Sequence, residues 1–204
     1  MKNIIACLSK AILGFSFLFS SLQGEEKSKN KTSLEIKPGY FTFASSTMRK
    51  IYNEGGADVQ FSASIPIIDH LKGYISVEYN ERQGFSLQDH QRTRIWQVPV
   101  SLGLKPYWKI ASFLEYYFTV GPRVFALRQT NDSSYVPKHI WDGGIGAFAN
   151  TGFNFLFCEG KFFIDLVGEY SYEKIHHHFR NQRVFGSSRQ VGGYSGQIGV
   201  GFNF

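Results

Sequence analysis

The chain has 204 residues and a formal net charge of +6, with 22 basic residues against 16 acidic ones. No stretch beyond residue 24 approaches the roughly 20 consecutive apolar residues of a membrane-spanning helix. Of the two cysteines, Cys7 lies in the N-terminal segment, so Cys158 alone would remain after processing and an intramolecular disulfide is excluded.

The N-terminal segment 1–24 is predicted to be a secretory signal peptide that is removed. Lys2 precedes an apolar run over 11–22, which is too short to span a bilayer. An uncleaved anchor is the alternative. The polar residues 25–32 are predicted to form a mobile lead-in to a single domain over 33–204.

Eight segments of this domain alternate between apolar and polar residues with a period of two. Because successive side chains of a strand point to opposite faces, each is predicted to be a β-strand. The segments are 33–44, 56–65, 72–81, 94–104, 111–127, 144–157, 161–172 and 194–204. Short turns are expected at 66–71, 105–109 and 158–160, and long polar loops at the other connections.

One face of nearly every segment is apolar, whereas the opposite face carries charges. The dry core of a soluble domain could not hold so many charges without pairing, but the interior of a closed barrel can pair and hydrate them. Closure also leaves no unpaired strand edge in lipid. The sequence therefore predicts an all-β fold, a transmembrane antiparallel up-and-down β-barrel of eight strands. Its predicted lumen polar network comprises Glu35, Lys37, Asp58, Glu78, Glu115, Arg123, Asp165 and Glu169.

The last segment carries a mostly apolar file that ends in aromatics, with Tyr194, Ile198, Val200, Phe202 and Phe204. It resembles the final strand of bacterial outer-membrane β-barrels. The resemblance implies that these residues are an assembly signal, read by the barrel-assembly machinery through the terminal Phe. The whole layout resembles the small eight-stranded barrels of the OmpA, OmpX and OmpW type. That resemblance implies the bacterial outer membrane, periplasmic N- and C-termini, and contact with outer-membrane lipid and lipopolysaccharide.

The long loops are rich in basic residues. The predicted outer-loop basic patch comprises Arg128, Lys174, Arg180, Arg183 and Arg189. It would neutralise phosphates of lipopolysaccharide or, alternatively, capture a host or extracellular anionic ligand. No nucleic-acid partner and no cofactor are expected, since no Gly-rich phosphate loop or Cys-rich zinc pattern occurs.

The histidines of the last long loop and the inward aromatic residues each have a structural and a functional interpretation. His176 and His178 are weak metal candidates, but neighbours on an extended chain point apart, which favours a solvated loop over a metal site. Inward aromatics are expected to fill the lumen, and a dry cavity for an apolar ligand is the alternative; they are Phe41, Phe43, Tyr74, Phe113, Tyr117, Phe125, Phe148 and Phe163.

Barrel enzymes that act on lipid A use His and Ser near the outer rim, and no His-x-Ser occurs in the last loop. Without a positioned nucleophile and base, no enzymatic activity is expected. Because side chains can fill an eight-stranded lumen, a wide pore is not expected either. We expect a non-enzymatic surface protein, with a narrow conduit or binding cavity for a small solute or apolar ligand as the alternative.

Overall fold

A computed structural model describes residues 31–52, 55–87, 90–132, 137–175 and 189–204. The elements in this part of the chain are β1 (Ser33–Phe43), α1 (Ser46–Ile51), β2 (Gly56–Ile68), β3 (Leu71–Phe85), β4 (Arg92–Ala111), β5 (Leu114–Asn131), β6 (His139–Phe157), β7 (Phe162–Ile175), β8 (Arg189–Gln190) and β9 (Gly193–Asn203). Within these described ranges, no helix has the length and apolar character needed to cross a membrane.

The eight long strands form a closed antiparallel ring. Strands β1 to β7 each pair with their neighbours in sequence, and β9 closes the ring by pairing with both β7 and β1. The two-residue strand β8 also pairs with β7. At the seam, the backbones of Thr32 and Phe204 exchange two hydrogen bonds, with N···O distances of 3.1 and 3.0 Å. The predicted eight-stranded antiparallel barrel is confirmed.

The register around the ring is staggered by ten residues. From Glu35, the paired residues of β2 to β6 lead to Glu173 on β7. In the other direction, β9 leads from Glu35 to Phe163 on the same strand, ten residues earlier (173 − 163). Such a stagger requires the strands to tilt by roughly 35–45° from the barrel axis.

Short and long connections alternate, as the sequence predicts, and define a turn end and a loop end of the barrel. The predicted turn at 105–109 is wrong, because β4 continues to Ala111 and the turn consists of Ser112 and Phe113. Pro106 suggests a break, but it lies opposite Leu71, the first residue of β3, where the ladder ends. The turn predicted at 66–71 is likewise shorter and consists of Asp69 and His70.

The outward face is apolar and ends in aromatic residues at two levels. Trp96 and Trp141 pack with their rings 5.2 Å apart near the loop end, and Trp108 stacks on Tyr116 at 5.8 Å near the turn end. Trp96 and Trp108 are 12 residues apart on β4. With a rise of ~3.3 Å per residue and a tilt of ~40°, the two levels are separated by roughly 30 Å along the barrel axis. This matches the thickness of a hydrocarbon core.

A short helix, α1, occupies the connection between β1 and β2, where the sequence analysis expects only a polar loop. Met48 of this helix and Tyr52, the residue that follows it, are buried, and Ile51 is partly buried. The three residues recur at helical spacing, and this is the signal in the sequence that indicates the helix. They join an apolar cluster at the loop end, here called the apolar cap, which also contains Phe41, Phe43, Ile95, Phe125, Leu127, Ile175 and Val191.

Two contacts hold α1 against the barrel. Arg49 Nη1 donates hydrogen bonds to the carbonyl oxygens of Phe43 and Ala44, at 2.6 and 2.9 Å. At the other end of the helix, a Cβ on Gly84 of β3 would overlap the carbonyl oxygen of Ile51. Glycine at this position therefore allows the close approach of the helix to the strand.

Candidate functional site

The interior near the turn end holds ammonium groups paired with carboxylates. Lys37 Nζ lies 2.7 Å from Glu35 Oε2 and 3.2 Å from Asp165 Oδ2. Lys105 Nζ lies 3.1 Å from Glu35 Oε1, and the hydroxyl of Tyr117 donates to Asp165 Oδ2 at 2.7 Å. All of these side chains are buried. Their mutual pairing compensates for the loss of hydration.

Two further charges complete this group. Glu115 accepts a hydrogen bond from Asn154 Nδ2 at 3.0 Å. Lys72 Nζ lies 4.8 Å from the ring centre of Tyr107. We define the turn-end cluster as the charged residues Glu35, Lys37, Lys72, Lys105, Glu115 and Asp165, in which three ammonium groups balance three carboxylates.

A second cluster, nearer the loop end, is built around one guanidinium. Arg123 forms an ion pair with Glu169 through Nη2, and its Nη1 lies 3.3 Å from Glu173 Oε1 and 3.6 Å from Glu78 Oε2. Its Nε donates to Ser101 Oγ at 2.7 Å. Three carboxylates thus surround a single cation in the interior.

Asp58 and Arg82 lie beside this centre and belong to the same cluster. Asp58 Oδ2 accepts a hydrogen bond from Gln197 Nε2 at 2.7 Å. Arg82 donates to the backbone carbonyl oxygens of Ala57 and Gly56, both at 2.7 Å. The loop-end cluster therefore comprises Asp58, Glu78, Arg82, Arg123, Glu169 and Glu173, with four carboxylates against two guanidiniums.

Aromatic rings lie between the two clusters. Tyr74 and Phe148 have ring centres 5.8 Å apart. Lys37 of the turn-end cluster lies 5.5 Å from the Tyr74 ring, and Arg123 of the loop-end cluster lies 5.1 Å from the Phe148 ring. Each cluster thus has its own cation–π contact with this layer.

The apolar cap lies beyond the loop-end cluster. A cavity of about 40 Å³ is present inside it, between α1 and the barrel, with Met48, Tyr52, Ile95, Leu127 and Val191 among its lining residues. Such a volume holds only a few water molecules. In the part of the chain that the structure describes, buried side chains extend through the interior from the turn end to this cap.

All eight residues of the predicted lumen network lie in the interior. The sequence analysis omits Arg82 and Glu173, because the recognised pattern ends the third strand at 81 and the seventh at 172. Both strands continue, and their alternation continues with them. Of the predicted inward aromatics, Phe113 is not inward: it is exposed in the turn between β4 and β5 because β4 is longer than expected.

Only part of the predicted outer-loop basic patch lies within the described residues. Arg128 is on the outward face of β5, with its guanidinium 5.1 Å from the ring centre of Trp141, and Trp96 is its partner on β4. Lys174 lies on β7 and Arg189 on β8. Residues Arg180, Arg183, His176 and His178 lie outside the described residues.

The residues of the predicted assembly signal share one environment. Each is exposed on the outward face near or along the seam of the ring: Tyr194, Ile198, Val200, Phe202 and Phe204.

Among the residues described here, no group of three or more His, Cys, Asp or Glu side chains could hold a metal ion.

No family model and no curated protein matches the sequence. Solved structures do match it. Neisserial surface protein A is 15% identical, with a TM-score of 0.56 over 85% of this chain and 97% of that one. Ail of Yersinia pestis, solved with the heparin analogue sucrose octasulfate, is 13% identical, with a TM-score of 0.54 over 87% and 100%. OprG of Pseudomonas aeruginosa is 14% identical, with a TM-score of 0.59 over 84% and 95%. The chain has the fold of the small eight-stranded outer-membrane β-barrels.

Proposed function

We propose that this chain is an integral protein of the bacterial outer membrane whose function is non-enzymatic and lies at the loop end of the barrel. The loop end faces the cell exterior, and both termini face the periplasm. Basic side chains at the loop end bind anionic groups, which are phosphates of lipopolysaccharide or the charges of an external polyanion. The barrel-assembly machinery inserts the chain.

The outward surface supports insertion into a membrane. Its strands expose apolar side chains between two aromatic levels, which is the lipid-facing pattern of outer-membrane barrels. The closed ring pairs every long strand on both sides, so no strand edge is exposed to hydrocarbon.

The closed interior is the observation that carries the functional proposal. Two ion clusters and the apolar cap fill the barrel, and the cavity under α1 measures only about 40 Å³. Pockets for small organic ligands have volumes of roughly 300–1,000 Å³. A barrel filled in this way favours a function at its surface over a conduit or a binding cavity.

Arg128 supports an anionic partner. It lies between Trp96 and Trp141 at the loop-end aromatic level, and no carboxylate of the described residues pairs with it. Its Nε is buried and has no hydrogen-bond partner in the described ranges, so the Nη groups would contact an anion. A guanidinium in this state suits phosphate or sulfate, which it binds through paired N–H donors. Ail, a barrel of the same fold, binds a sulfated sugar.

The proposal is tested with the purified barrel in zwitterionic nanodiscs, with heparin and lipopolysaccharide as probes. Combined substitution of Arg128, Arg180 and Arg183 by Gln is expected to weaken binding of both probes at least several-fold. Wild-type binding should decrease steeply as ionic strength rises, because salt screens charges beyond about 8–10 Å.

The matched control is Lys109→Gln, which removes one positive charge near the turn end and should leave binding unchanged. Intact cells should bind labelled heparin only when the loop-end arginines are present. Binding that is indifferent to these arginines would contradict the proposal. Steady single-channel conductance that disappears in Arg123→Gln would favour the conduit instead.

A further inference from the structure

The loop-end cluster contains more negative than positive charge. Its four carboxylates, on Asp58, Glu78, Glu169 and Glu173, face the guanidiniums of Arg82 and Arg123. The turn-end cluster, by contrast, is balanced and lies beyond the Tyr74–Phe148 ring pair. An uncompensated buried charge costs several kcal/mol. A cation bound at this cluster would therefore offset the excess of two carboxylates.

Arg82 does little to offset this excess. Its Nη groups donate to backbone carbonyl oxygens of Gly56 and Ala57 rather than to a carboxylate. Arg123 is already shared among three carboxylates, and its distance to Glu78 Oε2, 3.6 Å, is the longest of the three. Asp58 and Glu78 are thus the carboxylates with the weakest pairing to a cation.

Four side chains around these carboxylates form a contiguous row. Asp58 and Asn80 are direct cross-strand partners on β2 and β3, so their Cβ atoms are about 5 Å apart. Asn80 Nδ2 donates to Glu78 Oε1 at 3.3 Å, and Gln197 Nε2 donates to Asp58 Oδ2 at 2.7 Å. Gly39 lies opposite Asp58 and Gln197, and a Cβ there would collide with both side chains. The absence of a side chain at Gly39 therefore leaves space for the side chains of Asp58 and Gln197.

The amide groups point their N–H donors at the carboxylates, and this leaves a set of oxygens without a donor. Among the described residues, four buried oxygens of this row have no hydrogen-bond partner: Asp58 Oδ1, Glu78 Oε2, Asn80 Oδ1 and Gln197 Oε1. Each of the four residues is at most 3% exposed. Buried polar atoms are nearly always satisfied, so these four oxygens favour a partner that the described side chains do not supply.

We propose that the loop-end cluster binds a hard, oxygen-coordinated cation, Na⁺, K⁺ or Ca²⁺, at Asp58, Glu78, Asn80 and Gln197. Carboxylate and amide oxygens are the ligands that such cations prefer. The site contains two carboxylates and two neutral amides. It therefore differs from the metal sites of three or more His, Cys, Asp or Glu side chains, none of which occurs among the described residues. The bound cation offsets the excess negative charge beneath the apolar cap, fully if it is divalent and by half if it is monovalent, and stabilises the closed interior.

The proposal is tested by refolding the full chain into detergent or nanodiscs in the presence of Rb⁺, as a stand-in for K⁺, or of Ca²⁺. The folded barrel is then moved into a buffer whose only cation is N-methyl-D-glucamine, and the retained metal is measured by elemental analysis. Wild-type protein is expected to retain one of these metals in stoichiometric amount. Its unfolding temperature should be higher in Na⁺, K⁺ or Ca²⁺ than in N-methyl-D-glucamine at equal ionic strength.

Asp58→Asn combined with Glu78→Gln removes the excess charge with little change in side-chain volume. This double variant should retain no metal and should unfold at the same temperature in every cation. The matched control, Glu115→Gln, removes a carboxylate from the turn-end cluster and should bind metal as the wild type does. If the double variant does not fold, Asp58→Asn alone provides the comparison.

Two outcomes would overturn the proposal. The first is a wild-type barrel that retains no metal and whose unfolding temperature is the same in all cations. The second is a double variant that retains as much metal as the wild type. Neither outcome depends on whether the loop-end arginines bind heparin, so the site stands or falls independently of the surface function.

Discussion

Neighbouring residues of β7 lie in opposite environments. Leu166 is 42% exposed on the outward face, whereas Asp165 is fully buried and paired with Lys37 and Tyr117. The physical difference is the solvent on each side: hydrocarbon accepts the leucine, and the interior provides the carboxylate with an ammonium group and a hydroxyl. Exposure of an apolar residue therefore stabilises this protein in a bilayer.

Leu166→Arg is predicted to destabilise the barrel in lipid by about 2 kcal/mol, because a cation inside the hydrocarbon is poorly solvated. Phe162→Arg lies on the same face of the same strand, at its turn end, and should cost only about 0–1 kcal/mol. The measurement is reversible unfolding in vesicles by denaturant. Equal costs for the two variants would mean that Leu166 does not lie in the membrane interior.

Lys37→Met is predicted to destabilise the barrel by about 3–5 kcal/mol, because it leaves the buried carboxylate of Asp165 without its cation. Lys72→Met removes an ammonium group whose described contact is the Tyr107 ring and should cost about 2 kcal/mol or less. The double variant Lys37→Met with Asp165→Asn should recover part of the unfolding free energy that Lys37→Met loses. Purely additive effects of the two substitutions would argue against a direct pair.

At the scale of elements, α1 and β8 differ from the strands because their segments cover the interior without forming its wall. Met48 enters the apolar cap from α1, Tyr52 from the residue after this helix, and Val191 from the residue after β8. Val191 donates its backbone N–H to the carbonyl of Glu173, which ties the cap to β7. The closed loop end therefore depends on two segments that lie outside the ring of eight long strands.

Gly84→Ala is predicted to displace α1 from the barrel mouth, because the added Cβ would overlap the carbonyl oxygen of Ile51. The barrel should still migrate as a folded, heat-modifiable band. An Ile95→Cys reporter in a Cys158→Ser background should then react with an added maleimide several-fold faster.

The control for this experiment is Gly168→Ala on the outward face of β7, where a Cβ would meet no atom within 4 Å. It should leave the labelling rate unchanged. Equal labelling rates in the two alanine variants would show that α1 does not limit access to the cap.

At the scale of the whole molecule, folding requires the closing of the ring between β1 and β9. This pairing joins residues at opposite ends of the described domain, as in Ser33 with Asn203 and Thr32 with Phe204. Such long-range contacts form slowly on their own, since loop closure must precede them. An assembly signal on the last strand would serve this step.

Phe204→Ala is predicted to reduce the amount of folded barrel in the outer membrane of cells while hardly changing refolding into detergent. The backbone hydrogen bonds with Thr32 do not need the phenyl ring, so the seam can still close. Phe162→Ala is the matched control, because it removes another exposed aromatic that contacts Phe202, at a ring distance of 5.0 Å. Equal losses in cells for both variants would contradict a recognition role for Phe204.

The sequence by itself determined the type of fold and which residues face inward. Period-two alternation is a local property, so Asp165 and Leu166 could be assigned to opposite faces without knowing any partner. The number of strands and the alternation of long and short connections followed from the same pattern. The pattern is less informative at strand ends: it predicts a turn at 105–109, inside β4, and leaves Arg82 and Glu173 outside the predicted strands.

Only the tertiary structure decided which interior charges pair and which do not. The stagger of ten residues brings Arg123 of β5 to Glu173 of β7 and separates both from the turn-end cluster. The closure of the mouth was also a tertiary result, because six residues of helix are stable only when Met48 and Tyr52 pack on the barrel. Local alternation fixes the face on which a side chain lies, whereas register and packing across the ring fix its neighbours.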